Sequence, residues 1–478
     1  MTDHSQYVNP LTSRYAGAEM SGIFSDGHKF GLWRRLWLAL ARSERRLGLD
    51  ISEAQLQEMA AHLDDINYDS AARWERELRH DVMAHIRAWG EQCPAARPII
   101  HLGATSAYVV DNADIIRMRE GLLLLRRRLL GVMRALAAFA DRYKDTVCLA
   151  YTHFQPAQPT TVGKRACLWL QDLLLDVERL DQELSTLRLL GCKGATGTAA
   201  SFLHLFGGDG DKVARLEELI AAEMGFSACY PVSGQTYSRK VDYSVLSVLS
   251  GIAQSGAKFA NDVRLLCHEG ELAEPFESSQ VGSSAMAYKR NPMRCERMDS
   301  LARFIIAAAA NPAYTAATQW LERTLDDSAN KRISVAEAFL AADGLLALYA
   351  NVAAGLQVYP AVIARHLAAE LPFMATENIL MQAVEQGGDR QDAHEAIREH
   401  TLAAREALRQ GSGGGDLLQR LAADPRIGLS HEELEQAACG SSLSGLAAEQ
   451  TAALLNGHIL PLLADSREED APPAEILV

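Results

Sequence analysis

Residues 161–190 read TVGKRACLWLQDLLLDVERLDQELSTLRLL, and their apolar positions recur with the period of a helix. Most of the leucines are three or four residues apart with charged residues between them, so one face is apolar and the opposite face is charged. Glycines follow at Gly191, Gly194 and Gly197, where such a helix is expected to end. The segment predicts a single amphipathic helix far longer than the usual 11–12 residues or so.

Four other segments show the same periodicity at similar length, and loops containing glycine and proline separate them. They are residues 112–143, 238–268, 293–319 and 328–356. Five such helices predict an all-α chain with a long central bundle. Shorter helices on either side give three expected domains: an N-terminal domain of residues 1–106, a central bundle of 107–358 and a C-terminal domain of 359–478.

The apolar residues between Leu122 and Leu136 spread too far around their helix to be covered by one neighbouring helix. We therefore expect them to be buried against other copies of the chain.

The composition favours helices and argues against two classes of partner. Of the 478 residues, 48% are hydrophobic but only 6% are aromatic, so the apolar content is mostly Ala and Leu. A formal net charge of −14 argues against a nucleic-acid or anionic-membrane surface. The uncharged stretch 304–321 approaches membrane-spanning length, but we interpret it as a buried helix interrupted near Pro312.

Eight scattered cysteines form no CxxC pair and no spacing typical of disulfides or zinc sites. The N-terminus, MTDHSQYVNPLTSRY, has no apolar core of the kind that a signal peptide needs. We therefore expect a cytoplasmic protein. The histidines show no HExxH or other ligand spacing, so no metal site is expected.

Residues 282–297, GSSAMAYKRNPMRCER, form the most informative polar segment. Composition alone permits a solvated connection rich in turn residues. The segment nevertheless resembles the signature loop of the fumarase/aspartase superfamily, Gly-Ser-Ser-x-Met-Pro-x-Lys-x-Asn-Pro, and departs from it only where Ala287 replaces the proline. Arg290 after Lys289 resembles the version found in the adenylosuccinate lyase family.

Further blocks with the same resemblance follow in order along the chain. They are TSRY (12–15), RHDVMAH (79–85), HLGATS (101–106), THFQPAQPTTVGKR (152–165), GQTYSRK (234–240), ERTLDDSANKR (322–332) and ELPFMATEN (370–378). The resemblance implies a fumarase/aspartase-like fold and a homotetramer in which three neighbouring subunits build each active site. It also implies a cofactor-free β-elimination of fumarate from adenylosuccinate and from succinylaminoimidazole carboxamide ribotide, so the implied partners are small-molecule nucleotides.

Eliminating fumarate requires a base, stabilisation of a carbanion next to a carboxylate, and an acid for the departing nitrogen. The resemblance gives the acid role to His153, a residue type that commonly exchanges protons near neutral pH, although a lone histidine is more often structural. Glu296 would orient this histidine, and Ser283 would be the base, with Ser284 as the open alternative. Lys289 and Asn291 would hold the succinyl carboxylate.

The substrate phosphate needs fixed cations. Arg323, Ser328 and Arg332 frame a probable helix start at LDDSANKR, where free N–H groups favour an anion. Asp326 and Asp327 in that motif have the alternative role of ordinary helix caps. The resemblance adds further substrate contacts and one more active-site histidine, His80: Arg14, Tyr15, Arg79, Asp81, Thr105, Ser106, Gln235 and Arg297.

Two alternatives remain at the level of sequence. Another lyase of the superfamily, such as an argininosuccinate lyase, would need no phosphate site. A non-catalytic scaffold descended from such an enzyme would have lost His153, Ser283 or Lys289, and all three are present. The segment KGATGTAASF, residues 193–202, lacks the GxxxxGK[ST] pattern, so no nucleotide-triphosphate site is expected there.

Overall fold

The computed structural model describes residues 5–277, 280, 285, 286, 288–411, 416–439 and 443–465. It is built from helices and two small two-stranded sheets, which confirms the predicted all-α fold. The helices are α1 (Ala18–Ile23), α2 (Asp26–Arg46), α3 (Glu53–Ala61), α4 (Tyr68–Leu78), α5 (Asp81–Gln92), α6 (Ser106–Arg142), α7 (Val162–Thr186), α8 (Ala200–Leu205), α9 (Gly210–Glu223), α10 (Lys240–His268), α11 (Met293–Ala308), α12 (Ala310–Thr318), α13 (Asp327–Gly355), α14 (Pro360–Met374), α15 (Thr376–Glu385), α16 (Arg390–Arg409), α17 (Leu417–Ala422), α18 (His431–Ala437), α19 (Ala447–Leu454) and α20 (Leu460–Asp465).

Single π-helical turns at Leu11–Tyr15 and Leu455–Ile459 complete the helical part. The strands are β1 (Val147–Thr152), β2 (Gln155–Thr161), β3 (Leu272–Ala273) and β4 (Gln357–Val358). β1 pairs antiparallel with β2, and β3 pairs antiparallel with β4.

The five long helices predicted from periodicity are α6, α7, α10, α11 with α12, and α13, and they pack against one another as the central bundle. Residues 293–319 form two helices rather than one, because the helix is interrupted at Ala309, three residues before Pro312. The stretch 304–321 is also less buried than expected, since Phe304, Ile306, Trp320 and Leu321 are exposed.

Aromatic rings lock three of the long helices together. Trp169 of α7 meets Phe259 of α10 edge-on at 5.0 Å, and Phe259 stacks on Tyr349 of α13 at 4.2 Å. All three side chains are almost fully buried, and the Trp169 indole nitrogen donates to Asp262 at 2.8 Å. Such contacts stabilise a bundle core beyond the burial of their area alone.

The expected burial of Leu122–Leu136 against other chains is wrong. Its leucines, apart from Leu123, are buried within this chain because α6 lies between α2, α7 and α13. Several exposed apolar residues of the bundle lie on α7, α10 and α11: Leu168, Leu175, Tyr243, Leu265, Phe304 and Ile306.

One continuous core includes the N-terminal helices and the bundle, and a second, smaller core lies between Ala375 and Ala438. The last described helices return to the first core through Leu455, Ile459 and Leu463. The three domain boundaries stay a prediction. Of the loop 411–415 only Gly411 is described, and the acidic tail lies outside the described residues after Asp465.

One helix among the described residues, α13, is long and apolar enough to cross a membrane, but 78% of its most apolar window is buried inside the fold. That degree of burial is typical of the central helix of a bundle.

Glu44 provides a test of the packing between α2 and its neighbours. Its side chain is fully buried near Tyr108 and Cys192, and neither carboxylate oxygen has a hydrogen-bond partner among the described residues. Burial raises the pKa of Glu44 from its ordinary 4.5 to about 8. Folding therefore favours the protonated acid, and stability present below pH 4.5 is lost as the pH rises toward 8.

We expect Glu44→Gln, which mimics the protonated acid, to match the wild type in thermal unfolding at pH 5. At pH 8 the variant should be more stable by a few kcal/mol, because it avoids burying a charge. Parallel melting curves across this pH range measure the difference. A gap between variant and wild type that stays constant with pH would contradict the buried, neutral state.

Candidate active site

A cleft of about 450 Å³ lies among the N-terminal helices α2, α4 and α5, the N-terminal third of α6, and the first turns of α10 and α13. Four of the predicted substrate residues line it: Asp81, Arg323, Ser328 and Arg332. A nitrogen of the Arg332 guanidinium donates to Asp81 at 3.0 Å, although Arg332 is 61% exposed. The first turn of α13 is the helix start that the sequence predicted, one residue earlier than expected.

The RHD motif, Arg79–Asp81, sits between α4 and α5. Arg79 ends α4 in a left-handed conformation with φ 55°, and His80 caps the start of α5. This sharp change of direction turns His80 toward the start of α6, where the Ser106 hydroxyl lies 3.3 Å from its Nε2. Thr105 occupies the cap position of α6. His80, Asp81 and Ser106 are therefore close together, as the sequence predicted.

Gln235 connects two loops near the cleft. Its backbone N–H donates to the Glu322 carbonyl at 3.0 Å, and its side-chain amide donates to the Ala195 carbonyl at 3.1 Å. The loop around Ala195 approaches so closely that a Cβ on Gly197 would lie 1.9 Å from the Ser233 oxygen. The KGATGTAASF segment thus packs directly against the Gln235 loop.

Beneath the cleft lies a network of buried charges that the sequence analysis did not find. Arg239, at the start of α10, donates two hydrogen bonds to Asp111 at 3.0 and 3.2 Å and one to Asp327 at 2.6 Å. Lys331 pairs with Asp114 at 2.8 Å. Each charge is compensated, as burial requires.

The same network includes Tyr237, whose hydroxyl donates to Asp242 at 2.5 Å and accepts from Lys331 at 3.3 Å. Burial raises the pKa of Asp242 above its ordinary value, although Lys331 and Arg239 oppose the shift. For Asp114, burial acts in the same direction, but Lys331 and Arg117 outweigh it and the pKa is lowered. Asp114 is therefore held as a carboxylate beside the Lys331 ammonium.

Neither aspartate of the LDDS motif caps α13 through its side chain. Asp326 occupies the cap position but accepts hydrogen bonds from Gln319 and Thr318 instead. Asp327 is 1% exposed and binds Arg239 and Arg323. The alternative of ordinary helix caps is wrong for both residues, and Asp327 belongs to the floor of the cleft.

His153 lies at the tip of the β1–β2 hairpin, and the whole of β2 separates it from the start of α7. Thr152 pairs with Gln155, so the turn consists of His153 and Phe154 alone, with φ values of 54° and 59°. A two-residue turn with two positive φ angles suits the twist of a hairpin but normally uses Asn and Gly. Non-glycine residues pay roughly 1–2 kcal/mol each for this conformation. Both side chains are exposed, and Phe154 is 80% exposed.

The signature segment leads into α11. Ser283, together with Ser284 and Ala287, lies outside the described residues. The Glu274 carboxylate accepts from the backbone N–H groups of Arg294 and Cys295 at 3.1 and 2.6 Å, and so caps α11. Lys289 and Glu296 are exposed, Arg297 is half-buried, and Asn291 lines a separate cavity of about 210 Å³.

The two sets of predicted residues lie at opposite ends of α10. Arg239, in the floor of the cleft, immediately precedes this helix, whereas Gly270, beside the Asn291 cavity, follows it. A helix of 29 residues spans about 43 Å. The hairpin belongs to the second end, because Arg165 after it contacts both the Leu149 carbonyl of β1 and Glu271.

Arg14 and Tyr15 are also distant from the cleft within one chain. The backbone of Tyr15 packs against Gly344 in α13. Gly344 is twelve residues beyond Arg332 in the same helix, which corresponds to about 18 Å. One chain therefore brings together the residues around Asp81 and Arg332 but not Arg14, His153, Lys289 or Asn291.

The charges that line the cleft in one chain do not by themselves balance a multiply anionic ligand. Seven carboxylates face six cations, and most of the cations are already paired. Within the described ranges, no group of three or more His, Cys, Asp or Glu side chains is arranged to hold a metal ion. An anionic substrate in this cleft needs further cations from outside the chain.

Comparison with known proteins shows which family the chain resembles. A family model described as "Lyase" matches residues 20–307, and one described as "Adenylosuccinate lyase C-terminus" matches residues 372–454. The adenylosuccinate lyase of Saccharomyces cerevisiae is 49% identical, covering 94% of each chain. That of Schizosaccharomyces pombe is 46% identical, covering 97% of each chain.

The chain belongs to the adenylosuccinate lyase family. It is accordingly a lyase, and the resemblance seen in its sequence motifs is confirmed.

Solved structures that are similar to this member of the adenylosuccinate lyase family share its fold. A fumarate lyase from Mesorhizobium sp. BNC1 matches with a TM-score of 0.81 at 24% identity. A 3-carboxy-cis,cis-muconate lactonizing enzyme from Pseudomonas putida matches with 0.82 at 23% identity. Each match covers 95% of this chain and 100% of the other chain. The fumarase/aspartase-like fold class is confirmed.

Lys331 and Arg332 are adjacent in α13, but only Lys331 belongs to the buried network, so substitutions at the two positions should affect stability differently. Lys331→Met should lower the free energy of unfolding by about 3 kcal/mol, because it leaves buried carboxylates short of a cation. Arg332→Met should leave stability nearly unchanged, since Arg332 is 61% exposed. Urea denaturation of both variants measures this contrast. Equal losses of stability would contradict the buried network.

Proposed function

We propose that the protein cleaves adenylosuccinate into AMP and fumarate, and succinylaminoimidazole carboxamide ribotide into fumarate and the corresponding aminoimidazole carboxamide ribotide. Membership of the adenylosuccinate lyase family supports the reaction. The observation that carries the substrate assignment is the cluster of Arg323, Ser328 and Arg332 at one helix start in the cleft. Such a cluster suits a phosphate, which an argininosuccinate lyase has no reason to bind.

In the proposed reaction, a base removes a proton from the carbon next to a succinyl carboxylate, and the bond to the nucleotide nitrogen then breaks. Ser283 is the proposed base, and His153 donates a proton to the departing nitrogen. Lys289 and Asn291 stabilise the carboxylate as negative charge grows on it, and Glu296 orients the imidazole. Arg323, Ser328 and Arg332, with Arg14, Tyr15 and Arg297, hold the phosphate.

His80, Arg79 and Asp81, with Thr105, Ser106 and Gln235, line the remainder of the proposed substrate site. The contact between Ser106 and His80 and the pairing of Arg332 with Asp81 support their grouping around one ligand. Asp81 would release Arg332 toward the phosphate when substrate binds.

We also propose a homotetramer with active sites shared between subunits. Two observations support it: the cleft and the His153 hairpin lie toward opposite ends of α10, and the cleft lacks cations for an anionic substrate. The exposed apolar side chains on α7, α10 and α11 offer surfaces for subunit contacts. In such an assembly, the hairpin and signature loop of one chain meet the cleft of another.

A cytoplasmic location is a further proposal. Five of the eight cysteines are buried free thiols in the structure. This agrees with a reducing compartment.

An absorbance assay for fumarate release from both nucleotide substrates, with argininosuccinate as the control substrate, tests the reaction. We expect His153→Ala to lower kcat by about 10²–10⁴-fold, as the loss of one acid–base group commonly does. His431→Ala is the matched control, since it removes an exposed imidazole from α18. Turnover of the His153 variant near the wild-type rate would remove His153 from the mechanism.

Subunit mixing tests the shared site. Neither His153→Ala nor the double variant Arg323→Ala/Arg332→Ala should be active at low substrate concentration. Dissociated and reassembled together in equal amounts, they should regain activity, because roughly a quarter of the sites would combine two intact halves.

The control mixes Arg323→Ala with Arg332→Ala. Both residues line one cleft of one chain, so this mixture should contain no intact site. Mixed tetramers of the first pair, verified by mass but still inactive, would mean that one chain supplies both halves.

A further inference from the structure

Arg323 is the proposed phosphate ligand whose surroundings are most constrained. One terminal nitrogen of its guanidinium donates to both oxygens of Asp327, at 2.9 Å each. The side chain is 25% exposed and lines the cleft. No other hydrogen bond joins this guanidinium to a residue in the described part of the chain. Its remaining N–H groups are therefore available to a ligand.

Asp327 is fixed from its other side. Arg239 donates to it at 2.6 Å and is itself held by two hydrogen bonds to Asp111. The backbone N–H of Tyr237 donates to Asp111 at 3.1 Å, which fixes that carboxylate in turn. The side chains of Asp111, Arg239 and Asp327 are each at most 3% exposed. This chain of contacts connects α6, the start of α10 and the start of α13.

We propose that Asp327 is a positioning residue that holds Arg323 in the orientation in which it binds the substrate phosphate. This inference rests on the proposed function and assigns a role to a residue outside the expected substrate contacts. An arginine side chain loses much conformational freedom when it binds an anion, and a rigid partner removes part of that cost in advance. Asp327 supplies such a partner, because a second buried guanidinium anchors it.

The local charges agree with this role. Burial raises the pKa of Asp327, but Arg239 and Arg323 outweigh burial, so the pKa lies below its ordinary value. The carboxylate stays ionised and orients both guanidinium groups. Since Asp111 balances Arg239, the shared carboxylate does not fully neutralise Arg323, which retains attraction for a phosphate.

The test is Asp327→Asn, with Asp326→Asn as the matched control. Asp326 is the adjacent carboxylate, but it is exposed and bonds only to Gln319 and Thr318 among the described contacts. We expect Asp327→Asn to raise the KM for adenylosuccinate about 10- to 100-fold, as loss of a charge-assisted hydrogen bond does, with kcat changed little. The control variant should keep both constants near the wild-type values.

A double-mutant cycle with Arg323→Ala distinguishes positioning from a general structural role. If Asp327 acts through Arg323, the double variant should have the same KM as Arg323→Ala alone. Additive increases in KM, or a fall in kcat as large as the rise in KM, would overturn the proposal.

If Asp327→Asn fails to assemble, Arg323→Lys decides the question, because it leaves the buried contacts of Arg239 intact. It keeps the positive charge but not the fixed planar geometry, so we expect a raised KM. An unchanged KM would overturn the positioning role. A wild-type protein that releases no fumarate, or an Arg323→Ala variant with normal KM, would instead refute the proposed function itself.

Discussion

The ion pairs of Arg239 with Asp111 and Asp327 are the contacts on which the arrangement of the cleft depends. They join three long helices at a point where almost no water reaches the side chains. In such a place, a charge without a partner costs far more than the pair contributes to stability. The three helices are therefore fixed relative to one another at this end. The residues on these helices that face the ligand are held in place with them.

The hairpin provides a contrasting solution at the other end of the molecule. Its base is anchored, since the guanidinium of Arg165 binds the Leu149 carbonyl and lies near Glu271. At its tip, His153 and Phe154 adopt left-handed backbone conformations that are unfavourable for residues other than glycine. A backbone strain retained at an exposed position points to function rather than to stability. The positive φ of His153 holds its side chain at the outermost point of the hairpin.

Periodicity was sufficient to locate the long helices of the bundle, because an apolar pattern of helical period depends only on local sequence, although residues 293–319 form α11 and α12 rather than one helix. It could not tell whether the leucines of α6 are covered by the same chain or by another, since that depends on which helices pack around it. Family motifs correctly grouped Asp81, Ser328 and Arg332 in one cleft. They did not reveal Arg239, Asp111 or Lys331, because charges 88 to 217 residues apart in sequence become partners only through the fold.

The hairpin escaped prediction for a different physical reason. His-Phe is not a recognised turn pair, and Pro156 and Pro159 make β2 an unusual strand. The predicted roles of Ser283 and of its neighbours depend on a segment outside the described residues. For the remaining site residues, the structure supplies positions and contacts, and their chemistry stays a prediction.

The length of α10 has a consequence for how this chain can vary. Adding one residue to an α-helix turns everything beyond it by about 100° and advances it by about 1.5 Å. An insertion within Lys240–His268 would therefore change the orientation of the hairpin and of the start of α11 relative to the cleft. Surface loops can change length freely, whereas a change of a single residue in α10 alters both the distance and the angle between the two ends of this helix. Among natural variants, gaps in alignment should be absent from this helix even where its exposed side chains differ.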